Sequence, residues 1–201
     1  MAADPNLKLN IVRSRALKAV SAPAFVESPI GQNTDPKSKN ADFLSIVNTG
    51  FTGIAMFKYC YIDIGESTDV TLMFREYQAT IDAVLRRNPN ARIVHVTVPL
   101  TTVSYSLKTK LKNLLGRNTA HHDNIKRNRY NAVLRQAFAD EPIFDLAKVE
   151  STHADGSRSF FVSGGEPVYT LAPEYTDDGG HLNALGRQLA ARHLIEVLAS
   201  V

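Results

Sequence analysis

An aspartate and a histidine lie three residues apart near the C-terminus, in the segment Tyr175-Thr176-Asp177-Asp178-Gly179-Gly180-His181-Leu182-Asn183. The two glycines between Asp178 and His181 allow a tight approach and positive φ angles. A carboxylate placed in this way can keep one imidazole nitrogen protonated, so that the other nitrogen accepts a proton as a general base. The competing interpretation is an ordinary turn, with His181 only a polar residue of the first helical turn.

The elements that must position this pair are an alternating series of strands and helices. Apolar residues recur at steps of three and four after the histidine, which predicts an amphipathic helix over residues 182–199. Further helices are predicted over residues 37–47, 72–85, 107–115 and 124–139, the first of them capped by Thr34 or Asp35 with Pro36 in its first turn. Strands are predicted over residues 7–12, 24–27, 53–62, 92–98 and 142–146, and residues 150–173 are irregular or hairpin-like.

This alternation predicts an α/β fold, with right-handed crossovers and a mainly parallel sheet covered by helices on both faces. Ligands of such sheets bind beyond the carboxyl ends of the strands. The loops to search for a site are therefore residues 29–35, 61–68, 99–123 and 175–181.

Composition narrows the class of protein. The chain has 201 residues, of which 44% are hydrophobic and 21% charged, so it can bury a full core as one domain. No apolar run is long enough to span a bilayer, and the first twenty residues lack the apolar core of a signal peptide, so we expect a soluble protein whose compartment stays open. The single cysteine, Cys60, excludes an internal disulfide. A net charge of +3 does not call for a nucleic-acid partner.

These segments together resemble the SGNH, or GDSL-type, hydrolase superfamily. The last block of that family is an aspartate and a histidine spaced like Asp178 and His181, opening the final helix. The resemblance extends to Gly31-Gln32-Asn33-Thr34-Asp35-Pro36, to residues 57–64 and 93–101, and to Asn128-Arg129-Tyr130-Asn131 with Phe144-Asp145-Leu146, so that it covers most of the chain. It implies a flavodoxin-like three-layer α/β/α sandwich over residues 1–201 and a serine esterase or acylhydrolase acting on a small-molecule or carbohydrate ester, without a metal or organic cofactor.

The chain departs from the family where the nucleophile belongs. The family's serine follows the first, central strand, yet no Gly-Asp-Ser turn occurs between Met1 and Val20. We therefore expect a domain that is incomplete at its N-terminus and lacks its first strand, which would leave unpaired inner edges and exposed apolar surface. Ser14 is a weak candidate nucleophile, because arginines flank it and no glycine follows it. Ser28 is a weaker one.

The family's oxyanion hole uses a glycine and an asparagine from the loops after its second and third strands. Gly31 matches the first by position, and Asn33 lies beside it. The Gly-x-Asn-Asp pattern expected after the third strand is absent, which leaves Asn33, or a residue near Tyr61 and Asp63, as the second donor. The competing interpretation of Gly31 and Asn33 is a plain turn before a capped helix.

Three other functions remain open. A catalytically inactive SGNH-like module that binds carbohydrate or a partner would explain the absent serine block. Nucleic-acid binding is suggested by one basic segment, although it holds few stacking aromatics; its basic residues are Lys108, Lys110, Lys112, Arg117, Lys126, Arg127 and Arg129. A metal site at His121-His122-Asp123 lacks a further ligand.

Overall fold

The computed structural model describes residues 9–17, 20, 23–48, 50–103 and 120–201. Its strands are β1 (Ile11–Arg13), β2 (Phe25–Glu27), β3 (Ile54–Ala55), β4 (Arg92–Ile93), β5 (His95–Val96), β6 (Ile143–Phe144), β7 (Phe160–Ser163) and β8 (Glu166–Tyr169). Its helices are α1 (Pro36–Ile46), α2 (Val70–Arg87), α3 (Ala120–Ala137), α4 (Leu146–Ser151) and α5 (Ala184–Leu198), with short 3-10 turns at Tyr61–Asp63 and Pro173–Tyr175. The predicted helix over residues 107–115 lies outside the described residues.

The centre of the sheet is a parallel set of three segments. Only Val94 separates β4 from β5. β4 pairs with β3, so that Ile93 lies opposite Ala55. β5 pairs with β6, so that Val96 lies opposite Phe144. Consecutive side chains of a strand point to opposite faces. Ile93 accordingly belongs to the core cluster that contains Phe74 and Tyr130 of α2 and α3, whereas Val94 and Val96 belong to the cluster packed against α5. Helices cover both faces, which confirms the predicted α/β class and its layered architecture.

β1 and β2 form a separate parallel pair, with Ile11 opposite Phe25. Among the described residues no backbone ladder joins this pair to β3. Ile11 is 64% exposed and Ile54 of β3 is 39% exposed. Apolar side chains of these two strands are therefore accessible, and the expected absence of a first strand stays a prediction.

Capping residues set the helix starts. Asp35 accepts a hydrogen bond from the Ser38 N–H with Pro36 as the first residue of α1, and Asp69 caps α2 in the same way through the Leu72 N–H. Asn183 caps α5 through the Gly186 N–H, so that helix begins at Ala184 rather than at Leu182. Of the strand predicted over residues 53–62, the structure forms only Ile54–Ala55, and the rest of that prediction is wrong. At its end the Asp63 carboxylate accepts the Cys60 N–H, and residues 61–63 form a 3-10 turn.

Candidate functional site

Asp178 and His181 lie in the loop that enters α5. The loop is closed at its base by the Asn183 N–H, which donates to the Tyr175 carbonyl over 2.8 Å. Gly186 is required in the first turn of α5, because a Cβ there would lie 2.8 Å from the same carbonyl oxygen. Gly179 has a φ of +86°, the left-handed geometry that favours glycine. The turn is thus held close against the start of the helix.

The aspartate is oriented by backbone donors. Its Oδ1 accepts from the Gly180 N–H over 2.9 Å and from the His181 N–H over 2.8 Å, while its Oδ2 lies 2.7 Å from His181 Nδ1. These hydrogen bonds, the one from the His181 backbone first, hold the pKa of Asp178 well below its usual range. An ionised carboxylate only accepts hydrogen bonds, so Nδ1 carries the proton and Nε2 is the basic nitrogen. The arrangement can orient a general base; its catalytic role stays a prediction.

Tyr61 packs against His181, and Arg127 in turn holds Tyr61. The Tyr61 ring lies edge-on to the imidazole with centroids 5.5 Å apart. Arg127, only 4% exposed, donates through Nε to the carbonyls of Tyr61 and Ile64, and through Nη1 to the Thr101 hydroxyl. The Thr102 N–H in turn donates to the Gly179 carbonyl over 2.9 Å. Three of the four loops selected from the sequence therefore meet around His181.

The fourth loop, residues 29–35, is tied to this group through Asp63. The Asp63 carboxylate accepts from the Thr34 N–H over 2.8 Å and from Lys39 Nζ over 2.5 Å. The side chains of Lys39 and Asp63 are 6% and 0% exposed, so this ion pair is buried. Because the Asp63 carboxylate accepts all of these hydrogen bonds, its side chain offers no donor for an oxyanion.

Asn33 is oriented by the same lysine. Lys39 Nζ donates to Asn33 Oδ1 over 3.2 Å, and the two N–H donors of that amide have no hydrogen-bond partner within the described ranges. Asn33 is exposed. Its amide can therefore present donors to a bound ligand.

Gly31 is placed differently. Its N–H donates to Asp42 Oδ2 over 2.7 Å, and Asp42 is held by Arg15 at 2.8 Å. The hydrogen bond from Arg15, followed by the one from Gly31, lowers the pKa of Asp42 to about 2. The φ of Gly31 is +49°, and a Cβ there would lie 2.5 Å from the backbone nitrogen of Lys39. The position therefore needs glycine for close packing. Of the two predicted oxyanion donors, only Asn33 keeps its N–H groups available in this arrangement.

The candidate nucleophiles are not joined to His181. Ser14 follows β1, and its Oγ accepts from the Ala16 N–H over 3.0 Å within a local turn. The Ser28 hydroxyl donates to the Ser14 carbonyl. In the part of the chain that the structure describes, no hydroxyl is hydrogen-bonded to His181 Nε2. Ser14 as nucleophile remains a prediction.

Sequence reasoning missed Lys39, Asp42 and Arg127 as residues that position this site. One signal was available for Lys39, which lies four residues before Phe43 on the buried face of α1. A lysine within an otherwise apolar face needs a buried partner. Arg127, read as part of a basic surface segment, is instead buried, whereas the predicted members Lys108, Lys110, Lys112 and Arg117 lie outside the described residues.

Two further features bear on function. Among the described side chains, no group of three or more histidines, cysteines, aspartates and glutamates is placed to hold a metal ion; Asp123, from the tentative metal motif, accepts the Glu66 N–H. None of the described helices combines the length and the apolar composition needed to cross a bilayer.

Comparison with known proteins shows similarity of fold. No protein-family model matches the chain, and no curated protein matches its sequence significantly. A candidate platelet activating factor from Streptococcus pneumoniae aligns over 96% of this chain and 86% of its own, at 17% identity and a TM-score of 0.59.

Two Bacteroides structures are similar as well. A GDSL-like lipase from Bacteroides thetaiotaomicron aligns over 88% of this chain and 76% of its own, at 11% identity and a TM-score of 0.55. A candidate acylhydrolase from Bacteroides fragilis aligns over 98% of this chain and 89% of its own, at 14% identity and a TM-score of 0.52. At such identities the similarity establishes the fold alone: the chain has the α/β fold seen in GDSL-like hydrolases.

Proposed function

We propose that the chain, as one SGNH-like domain, is a serine-type ester hydrolase in which His181 is the general base and Asp178 orients it. The observation that carries the proposal is the 2.7 Å contact between Asp178 Oδ2 and His181 Nδ1 at the start of the last helix. The GDSL-like fold supports the same class of reaction.

The reaction would run as acyl transfer in two halves. His181 Nε2 takes the proton of a serine hydroxyl, and the serine oxygen bonds to the ester carbon. Asp178 stabilises the imidazolium, and the Asn33 amide donates to the developing oxyanion. The alcohol leaves with the proton from His181, and water then repeats the attack to release the acid. Each of these steps is carried by protein groups and water.

The substrate class follows from the resemblance and from the position of the site. The His181 side chain is 71% exposed, so a large alcohol or sugar group can approach it without opening the fold. We propose a small-molecule or carbohydrate ester.

The test is hydrolysis of p-nitrophenyl acetate by the wild-type chain and by His181→Ala, Ser14→Ala and Ser28→Ala. His193→Ala is the matched control, because His193 lies on α5, is 38% exposed and pairs with Glu196 instead of Asp178. We expect the rate of hydrolysis to fall in His181→Ala and to stay at the wild-type value in His193→Ala. Equal rates for wild type and His181→Ala would overturn the proposal, and loss in Ser14→Ala would identify the nucleophile.

A non-catalytic binding module is the second candidate function. The observation that favours it is His181 Nε2, which carries no hydroxyl partner within the described ranges. Its test is calorimetric titration of the folded, inactive chain with an acetylated oligosaccharide. Binding that is lost in Asn33→Ala, without any turnover, would support the module over the hydrolase.

A further inference from the structure

A second histidine, remote in sequence from His181, has both an acid and a hydroxyl partner. His153 Nδ1 lies 2.5 Å from Glu174 Oε1, and His153 Nε2 lies 2.9 Å from Ser159 Oγ. His153 follows α4, Ser159 precedes β7, and Glu174 belongs to the 3-10 turn Pro173–Tyr175. The order acid, imidazole, hydroxyl, with the acid on Nδ1 and the hydroxyl on Nε2, is the geometry of a nucleophile with its general base.

The protonation states suit this order. Burial acts to raise the pKa of Glu174, but the hydrogen bond with His153, a backbone hydrogen bond and the charge of His153 together hold that pKa below its usual range. An ionised Glu174 keeps the proton on Nδ1, so Nε2 accepts from the Ser159 hydroxyl. That contact is the only side-chain hydrogen bond of Ser159 within the described ranges, whereas Ser14, Ser28 and Ser151 bond to backbone carbonyls.

Other hydrogen bonds hold the backbone segments that carry Ser159, His153 and Glu174. The Ser159 N–H donates to the Ser151 carbonyl over 2.8 Å, and the Ser159 carbonyl accepts the Thr170 N–H over 3.0 Å. The His153 N–H donates to the Ser157 carbonyl over 2.8 Å. Next to Glu174, the Tyr175 hydroxyl donates to the Thr152 carbonyl, which ties the 3-10 turn to the chain just before His153. A constellation supported in this way retains its geometry when a ligand binds.

The serine also borders a cavity. Ser159 lines a space of about 250 Å³ together with Thr102, Arg158, Phe160 and Leu171. The Arg158 guanidinium is held in place by stacking over the Tyr169 ring, 3.4 Å from its centroid, and by hydrogen bonds to Ser151 Oγ. Because Arg158 lines the same cavity, its cation favours a substrate oxygen that gains negative charge there. The volume is below that of a drug-sized pocket, which suits a short acyl group.

We propose that Ser159, His153 and Glu174 form a second nucleophilic site, separate from Asp178 and His181, that accepts short-chain acyl esters. His153 Nε2 takes the Ser159 proton while Ser159 Oγ bonds to the carbonyl carbon. The bond from that carbon to the alcohol oxygen breaks, and the alcohol leaves with the proton from His153. Water, deprotonated by His153, then releases the acid and restores the serine.

The test is covalent labelling by a fluorophosphonate, followed by tryptic mass spectrometry of the adduct. Attack forms a bond between Ser159 Oγ and phosphorus, fluoride leaves, and the serine proton passes through His153 to solvent. We expect an adduct on Ser159 that is absent in Ser159→Ala and forms at least tenfold more slowly in His153→Gln. Ser157→Ala is the matched control, because Ser157 is exposed and its hydroxyl donates to Asp155 in the same turn.

The outcomes separate this site from the proposed function. Labelling of Ser159 that persists in His181→Ala supports an independent second site, whatever the fate of p-nitrophenyl acetate hydrolysis in that variant. A folded wild-type chain without an adduct on Ser159 overturns the second site, as does an adduct whose rate is unchanged in folded His153→Gln. An adduct on Ser14 alone also overturns it and identifies the nucleophile of the first site.

Discussion

Among the described residues, His181 and His153 each place Nδ1 within 2.7 Å of a carboxylate oxygen, and they differ in sequence spacing, in exposure and in the partner of Nε2. His181 has its acid three residues away, a side chain that is 71% exposed, and no hydroxyl on Nε2 among the described residues. His153 has its acid 21 residues away, a side chain that is 29% exposed, and Ser159 on Nε2. One pair is evident in the sequence and has no hydroxyl on Nε2 among the described residues, while the other is assembled by tertiary structure and has one.

This difference separates recognition of a motif from completeness of a site. The Asp178 carboxylate is oriented by donors within three residues, since the Gly180 and His181 N–H groups both donate to it. The His153 group needs the helix α4, the start of β7 and the 3-10 turn to be packed together first. A motif thus supplies an oriented base, and only the fold decides whether a hydroxyl meets it.

The largest expected effect is on the first histidine. Asp178→Asn replaces an acceptor by an amide whose N–H₂ can face Nδ1, which favours the tautomer with a protonated Nε2. We expect kcat for the part of p-nitrophenyl acetate hydrolysis that depends on His181 to fall by about 10³ to 10⁴. Labelling of Ser159 should not change. Asp177→Asn is the control, because Asp177 is exposed in the same loop and makes only a 3.4 Å contact with Asn183; equal losses in both variants would contradict a specific role for Asp178.

The next effect concerns the oxyanion donor. Asn33→Asp keeps an oxygen for Lys39 but removes both N–H donors and adds negative charge. We expect kcat to fall by about 10² to 10³ with the thermal midpoint nearly unchanged. Gln32→Ala in the same exposed loop should retain the wild-type rate. Retained activity in Asn33→Asp would show that the donor lies elsewhere and would weaken the assignment of this face as the ester site.

The fold was largely predictable because its signals are local. Asp35 with Pro36, and Asp69, cap α1 and α2 where the sequence indicates, and the β-branched run at residues 92–98 becomes the central strand segment β4–β5. The six-residue helix α4 was missed, because one and a half turns leave no usable apolar period. The turn at residues 61–63 was missed for another reason. Its apolar pattern fits a strand, and a tertiary cluster around Asp63 decides against it.

The candidate site was predictable only where its partners are close in sequence. Asp178 and His181 are three residues apart, whereas Lys39 meets Asp63 across 24 residues and Arg127 meets Tyr61 across 66. The same limit hid Ser159 and Glu174, since no spacing rule links them to His153. The proposed catalytic roles of Ser159 and Glu174, like those of Ser14, Gly31 and Asn33, are to be tested with variants.

A smaller effect is expected at the second histidine. Glu174→Gln keeps an oxygen that can accept from His153 Nδ1 but removes the negative charge that stabilises the imidazolium. We expect labelling of Ser159 to slow by roughly tenfold, at the low end of what oriented general-base catalysis contributes. Hydrolysis that depends on His181 should be unchanged. Glu166→Gln on the exposed start of β8 is the control; a labelling rate insensitive to Glu174 but sensitive to His153 would reduce the group to a dyad.

The smallest effect on either activity is expected from Glu150, which lies between the two regions. Its carboxyl accepts the Leu100 N–H, two residues before the threonine that contacts Gly179, and its carbonyl accepts the Ala172 N–H, two residues before Glu174. Burial raises the pKa of Glu150 to about 8. The folded state therefore binds the proton more tightly than the unfolded chain, so stability present at pH 4 to 5 is lost as the pH rises towards 8.

Glu150→Gln keeps the acceptor for Leu100 and cannot ionise. We expect it to match the wild type in urea denaturation at pH 5, and to exceed it at pH 9 by about 2 kcal/mol or more in the free energy of unfolding. Both activities at pH 6 should stay within about twofold of wild type, because Glu150 contacts neither histidine. A pH slope of stability equal in the two proteins would mean that Glu150 is ionised in the fold. A loss of only one of the two activities would contradict the expectation that Glu150 supports both regions equally.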